Sequence, residues 1–360
     1  MIEKFIVSRD DSIYEAFPDV ALTRSGRLVC AFLESTHHRD RSHTRVMLTD
    51  STDRGRTWSA KRPLTEARHA EGDAGPFWNA PRVVALSDGR LAAVCNPIEK
   101  GVGPDGVLRE DGRADLLFSG DEGETWSPPQ RTPVAGVVPD RLVELRHRPH
   151  AGRWILSAHT RPTEPADATP WAQRCWLSDD GGETWRGPVV IASLGELRLC
   201  EGSVLELPDG RLVCFMRENS GRGLDCHKAI STDGGESWDG PYQFPLPACH
   251  RPVAGMLRSG AVLITYRFMQ GGRDWLGWWT QNAFAALTDV ESCLATSRQE
   301  ARARIMPLDF DGSWQSDTGY TGWVQFADGE IYAVNYIVDD APLAHIRGYA
   351  FEERDMVLPA

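Results

Sequence analysis

SDDGGETW at residues 178–185 is one of four copies of a single pattern, the others being STDRGRTW at 51–58, SGDEGETW at 119–126 and STDGGESW at 231–238. Each keeps a serine, an aspartate two residues on, a glycine two further, a threonine or serine, and a closing tryptophan. The chemistry is that of a hairpin turn. The aspartate accepts hydrogen bonds from backbone N–H groups just ahead of it, the glycine permits positive φ, and the tryptophan anchors the turn on apolar neighbours. These aspartates are therefore read as structural rather than catalytic. The copies start at 51, 119, 178 and 231, a spacing of 68, 59 and 53 residues that fits repeated four-stranded units better than a small helical repeat.

A second repeat raises the number of units to six. Gly26, Gly89, Gly152, Gly210, Gly260 and Gly329 each follow one short strand-like run and open another. In four of the six the aspartate pattern begins 21 to 30 residues later, as expected if the glycine turns strand one into strand two and the pattern turns strand three into strand four. Apolar and polar residues alternate in short runs throughout, and a helix is expected only around Ala295 to Arg304. The fold expected is all-β, a six-bladed β-propeller of four-stranded antiparallel blades, with residues 1–360 as one domain. No linker or low-complexity run divides the chain.

Composition narrows the function classes. Hydrophobic residues make up 41% of the chain, enough for a sizeable core, and the formal charge of −12 disfavours nucleic-acid and anionic-membrane partners, which would require a basic face. The start, MIEKFIVSRDDS, lacks a signal peptide's apolar stretch, and no run of about 18 apolar residues occurs, so the expectation is a cytoplasmic protein. Eight cysteines are scattered without a CxxC pair; they are read as reduced and structural, with no metal site and no cofactor expected. The GxGxxG match at 101–106 is rejected as a nucleotide site because Pro104 and the Asp105-Gly106 turn preclude the helix it would need.

The eight-residue pattern is the Asp box, and through it the chain resembles the sialidase superfamily of propellers. The resemblance implies that Glu3 to Ser8 closes the ring with the last blade. It also becomes residue-specific. CEGSVLELPDGRLVCFMR at 200–217 resembles the family strand pair that carries the catalytic glutamate and a carboxylate-binding arginine, which implies those roles for Glu201 and Arg217. GYTGWVQFADG at 319–329 is similar to the family's last-blade strand, which implies Tyr320 as nucleophile. The place of the family's acid/base aspartate, before the first Asp box, corresponds to Asp40 in ESTHHRDRSH at 34–43, where His37, His38, Arg39 and Arg41 would tune it or bind anionic groups. One departure stands out: the family's first-blade arginine falls at Ala16, so another acidic sugar fits as well as sialic acid.

The chemistry accounts for such a pair. A phenol with a pKa of about 10 is a poor nucleophile until a neighbouring carboxylate takes its proton, and a sugar with a carboxylate at its anomeric carbon would repel an anionic nucleophile. The innermost strands of a propeller begin at its axis, so the residues about nine before each turn glycine should share one pocket. Arg82, His250 and Arg251 enter there as substrate contacts beside Arg217, with His37 from the loop. Trp275, Trp278 and Trp279 are rim candidates for stacking on sugar rings. Three functions remain open on an oligosaccharide or glycoconjugate: a glycosidase for a terminal acidic sugar, a lyase that takes the proton beside a uronate carboxylate through a His or Tyr, and a non-catalytic glycan binder.

Overall fold

In a computed structural model, which describes residues 2–70, 75–102, 108–160, 171–271 and 279–356, the chain forms six antiparallel sheets arranged as the blades of a propeller. Blade one comprises Tyr14–Leu22, Leu28–Ser35, Thr44–Ser51 and Arg62–Pro63, each strand paired with the next. Blade three (Val143–Glu144, Trp154–Thr160, Ala172–Ser178, Arg186–Ala192), blade four (Leu199–Glu206, Leu212–Glu218, Asp225–Ser231, Asp239–Pro247) and blade five (Cys249–Met256, Val262–Gly271, Trp279–Thr288, Ala303–Phe310) repeat that order. Blade six takes Gly319–Gln325, Ile331–Ile337 and His345–Phe351 from the C-terminal part of the chain. Its outer strand is Glu3–Ser8, paired antiparallel with His345–Phe351. The two ends of the chain thus share one sheet, as expected, and the ring is closed by backbone hydrogen bonds.

Blade two holds the expected four strands, Arg82–Ala85, Leu91–Cys95, Leu108–Ser119 and Gln130–Ala135, and its sheet adds two more. Its long third strand, Leu108–Ser119, pairs with Leu91–Cys95 along its second half. Its first half runs on beyond the blade to pair with Pro97–Val102, which carries Phe77–Trp78 on its other edge. The helix lies earlier than Ala295: it is the single turn Val290–Leu294, started by Asp289, whose side chain accepts from Ser292 N, while Ala303 already begins a strand. Gly103, Gly106, Trp275 and Trp278 lie outside the described residues. All eight cysteines are buried and unpaired.

The Asp boxes have the geometry their chemistry predicts. In the first, Asp53 Oδ1 accepts from Thr57 N at 2.9 Å and from Ser51 Oγ at 2.8 Å, Ser51 Oγ accepts from Gly55 N at 2.8 Å, and Trp58 Nε1 donates to Gly55 O at 3.1 Å. Gly55 adopts φ +83°, and a Cβ there would fall 2.2 Å from the ring of Tyr332 in blade six, so only glycine lets the turn seat on the neighbouring blade. Hydrogen bonds from the Thr side chains of the boxes push Asp53, Asp121 and Asp180 down to about 2. A carboxylate depressed in the folded state contributes stability that is complete above its unfolded pKa near 4 and is lost as pH falls towards 2. The melting-temperature gap between the wild type and an Asp53→Asn/Asp121→Asn/Asp180→Asn variant should therefore be constant above pH 4 and shrink towards zero by pH 2. A gap that does not change with pH would contradict this account.

Candidate active site

The hub is built on backbone strain. Phe17, Val138, Glu201, Arg251 and Tyr320 are non-glycine residues with φ between +49° and +57°, one at the head of the innermost strand of five different blades. Conformations of this kind cost about 1–3 kcal/mol each and persist only where the surroundings enforce them. In four of these blades the pairing with strand two slips at the same place, between Ala16 and Asp19, Cys200 and Ser203, His250 and Val253, and Gly319 and Gly322. Each slip is a bulge that re-aims the hub side chain towards the axis.

Strand two of each blade supplies a second ring. The residue before each hub position pairs with Leu33 in blade one, Arg217 in blade four, Arg267 in blade five and Tyr336 in blade six, and an isolated bridge joins Val137 to His159 in blade three. The polar members of both rings gather between blades three and six.

There Tyr320 Oη donates to Glu201 Oε1. Arg217 Nη1 reaches both carboxylate oxygens, at 2.9 and 3.0 Å, and lies 3.4 Å from Tyr320 Oη, while its Nη2 donates to Asn219 Oδ1 at 2.6 Å. The Arg267 guanidinium covers the Tyr320 ring at 4.8 Å from its centroid, held by Gln281 Oε1 at 3.2 Å and by Tyr336 Oη and His250 Nδ1 at 3.4 Å each. Burial acts to raise the Glu201 pKa, but Arg217 and Arg267 overcome it and hold the carboxyl well below the usual range. Tyr320 is pushed up to about 12, by burial first and then by the Glu201 charge, so its phenol is protonated at neutral pH. Burial pushes His159 down to about 4; its neutral ring faces Glu201 N at 3.4 Å and stacks on Trp171.

Glu201, Tyr320 and Arg217 are thus brought together as the sequence implied. The other candidates are held differently. Arg82 and Arg251, expected to contact substrate, are 2% and 0% exposed, and Arg251 lies 6.0 Å from the centre of the Tyr320 ring. Arg251 donates to Pro139 O at 2.8 Å and Arg82 to Thr321 O at 3.0 Å, with Asp19 3.7 Å from Arg82. Arg141 binds the same Asp19, and Gly322 leaves room for it, since a Cβ there would fall 2.1 Å from Asp19 Oδ1. His250, also expected at the substrate, stands behind Arg267. Burial and the flanking Arg217 and Arg267 keep its pKa well below normal.

Asp40 is exposed, and its carboxylate accepts from Ser42 N at 2.9 Å within its own turn; among the described contacts none links it to Tyr320 or Glu201. His37 is exposed as well, with its ring 5.4 Å from that of Tyr14. The residues this loop sends inward are His38 and Arg41. Arg41 lies over the ring of Phe17 at 5.3 Å, with Nη1 buried and without a hydrogen-bond partner among the described residues, and Tyr14, Tyr336, Asp317 and Tyr320 are its electrostatic neighbours. Blade one, which has Ala16 on its first strand, thus brings a cation to Tyr320 from the loop instead.

Sequence reasoning missed Arg267 and Tyr336, although a signal existed. Each lies sixteen residues after its hub residue, Arg251 and Tyr320, as Arg217 lies sixteen after Glu201. Nothing local in the sequence marked His38 over Asp40.

The sequence profile of the BNR repeat-like domain matches residues 26–283. Among solved structures, a Dyadobacter fermentans protein of unknown function is 21% identical with a TM-score of 0.76, and the match covers 98% of this chain and 99% of that one. The intramolecular trans-sialidase of Ruminococcus gnavus is 14% identical with a TM-score of 0.69, covering 96% of each chain. The leech intramolecular trans-sialidase is 13% identical with a TM-score of 0.69, covering 96% of this chain and 69% of that one. With more than half of its length matched by that profile, the chain belongs to the BNR repeat-like family, and its propeller fold is like that of the two trans-sialidases.

Proposed function

We propose that this protein is a retaining glycosidase that removes a terminal acidic sugar, with Tyr320 as nucleophile and Glu201 as the base that activates it. The observation that carries the reading is the Tyr320–Glu201 hydrogen bond set between Arg217 and Arg267. A phenol raised to about 12 attacks only as its proton leaves, and Glu201 already accepts that proton's hydrogen bond. The arginines keep Glu201 charged while the site is empty. A substrate carboxylate that engages them competes for that positive charge and makes Glu201 more basic at the moment a proton must be taken. Arg217 and Arg267 lie against Tyr320, Arg41 lies over the adjacent Phe17, and the three would form an anion-binding cup. The Ruminococcus gnavus neighbour was crystallised with oseltamivir carboxylate, itself an anionic ligand.

The test is a panel of aryl α-ketosides of sialic acid, aryl uronides and neutral aryl glycosides, with aglycone release and ultraviolet absorbance of unsaturated sugar read together. Aglycone release from an acidic glycoside and not from its neutral counterpart is the expected result. An unsaturated product would establish a lyase instead, and silence across the panel would favour a binding module.

A further inference from the structure

The loop that turns Asp40 outward sends His38 inward, where it meets an aspartate from another blade. His38 Nδ1 lies 2.8 Å from Asp317 Oδ2 and 3.0 Å from Tyr14 Oη. Tyr14 donates its own proton to Asp317 Oδ2 at 2.6 Å, and Tyr336 donates to Asp317 Oδ1 at 2.9 Å. With Asp317 accepting on both oxygens, Nδ1 carries a hydrogen, and none of these bonds uses Nε2. The His38 ring stands edge-on to Phe17 at 5.4 Å, and the same Phe17 packs against Tyr320 at 5.1 Å, so the imidazole and the nucleophile are one ring apart. The titratable groups in contact with His38 are Tyr14 of blade one and Asp317 beside blade six; Asp317 in turn holds Tyr336 and is an electrostatic neighbour of Arg41.

We propose that His38, oriented by Asp317, is the proton donor and acceptor of the reaction, in the place where the sequence suggested Asp40. The inference rests on the glycosidase reading above. As the bond from the anomeric carbon to the leaving oxygen breaks, the Nε2 proton of His38 passes to that oxygen. A bond forms to Tyr320 Oη, whose proton goes to Glu201. In the second half water attacks the anomeric carbon as the bond from that carbon to Tyr320 Oη breaks; the water gives a proton to the neutral His38 Nε2, and Tyr320 Oη regains its own from Glu201. Asp317 touches no substrate; it fixes the imidazole's orientation.

The experiment compares a 4-nitrophenyl with a methyl glycoside of the acidic sugar that the wild type cleaves. A general acid matters most for the poor leaving group, so His38→Gln should lower kcat/KM for the methyl glycoside by about a hundredfold and for the 4-nitrophenyl glycoside by less than about fivefold; kcat/KM reports only the steps up to departure of the leaving group, so the base role of His38 towards water does not enter it. Asp317→Asn, which keeps His38 but removes the carboxylate that orients it, should show the same selective loss on the methyl glycoside in smaller measure. This second variant keeps the test alive if the first does not fold. Losses of kcat/KM that are equal on the two substrates, in either variant, would overturn the assignment. A wild type that cleaves no acidic glycoside refutes the glycosidase reading itself, and this assignment with it.

Discussion

Tyr320→Phe should lower kcat on an acidic aryl glycoside by at least about a thousandfold while KM moves little. The substitution deletes one oxygen and keeps the ring, and the ring makes the packing contacts: Phe17 at 5.1 Å, Arg267 at 4.8 Å and Tyr336 at 6.4 Å. Glu201 loses one donor but retains both contacts from Arg217, so no buried carboxylate is stranded and the melting temperature should stay near that of the wild type. Such a split, with chemistry lost and stability and binding kept, is what a nucleophile predicts and a structural tyrosine does not. A slow fluorinated substrate analogue should label Tyr320 in the wild type and leave the variant unlabelled, as read by peptide mass. Near-normal turnover by Tyr320→Phe would remove the phenol from the mechanism.

Much of this architecture was legible because it is repeated and local. Four Asp boxes and six turn glycines carry their own hydrogen-bond logic, and tertiary context had little left to decide. What escaped the reading depended on facing. Along a regular strand, parity tells which side a residue takes, but the left-handed bulges at Phe17, Glu201, Arg251 and Tyr320 break that parity where the pocket begins. Arg251 therefore seemed to face a ligand and instead donates to the carbonyls of Val138 and Pro139. On the loop between the second and third strands of blade one there is no period at all. Whether Asp40 or His38 turned inward was settled by the Asp40–Ser42 turn and by an aspartate 279 residues further along the chain. The sixteen-residue spacing to strand two was present in the sequence, but it acquires meaning only once the hub residues are known.

Arg267 tests whether the site selects charge. Arg267→Met should reduce kcat/KM on an acidic aryl glycoside by about 10²–10³ and leave any activity on a neutral glycoside within about threefold. Two effects add. A lost charge-assisted hydrogen bond to the substrate carboxylate is worth about 1.5–3 kcal/mol, or roughly ten- to hundredfold. Arg267 is also one of the two cations that favour the phenolate form of Tyr320, so without it negative charge on the attacking oxygen is less stabilised and kcat falls as well as binding. Arg267→Lys separates the two: it keeps the charge but cannot reproduce the fork that Gln281, Tyr336 and His250 hold, so kcat should recover more than KM. The side chain is 5% exposed, and methionine of similar length fills the space its stem leaves, which limits any loss from packing. Equal losses on charged and neutral substrates would mean that Arg267 serves only to pack Tyr320. Discrimination lost on the charged substrate alone would place the carboxylate of the sugar against blade five.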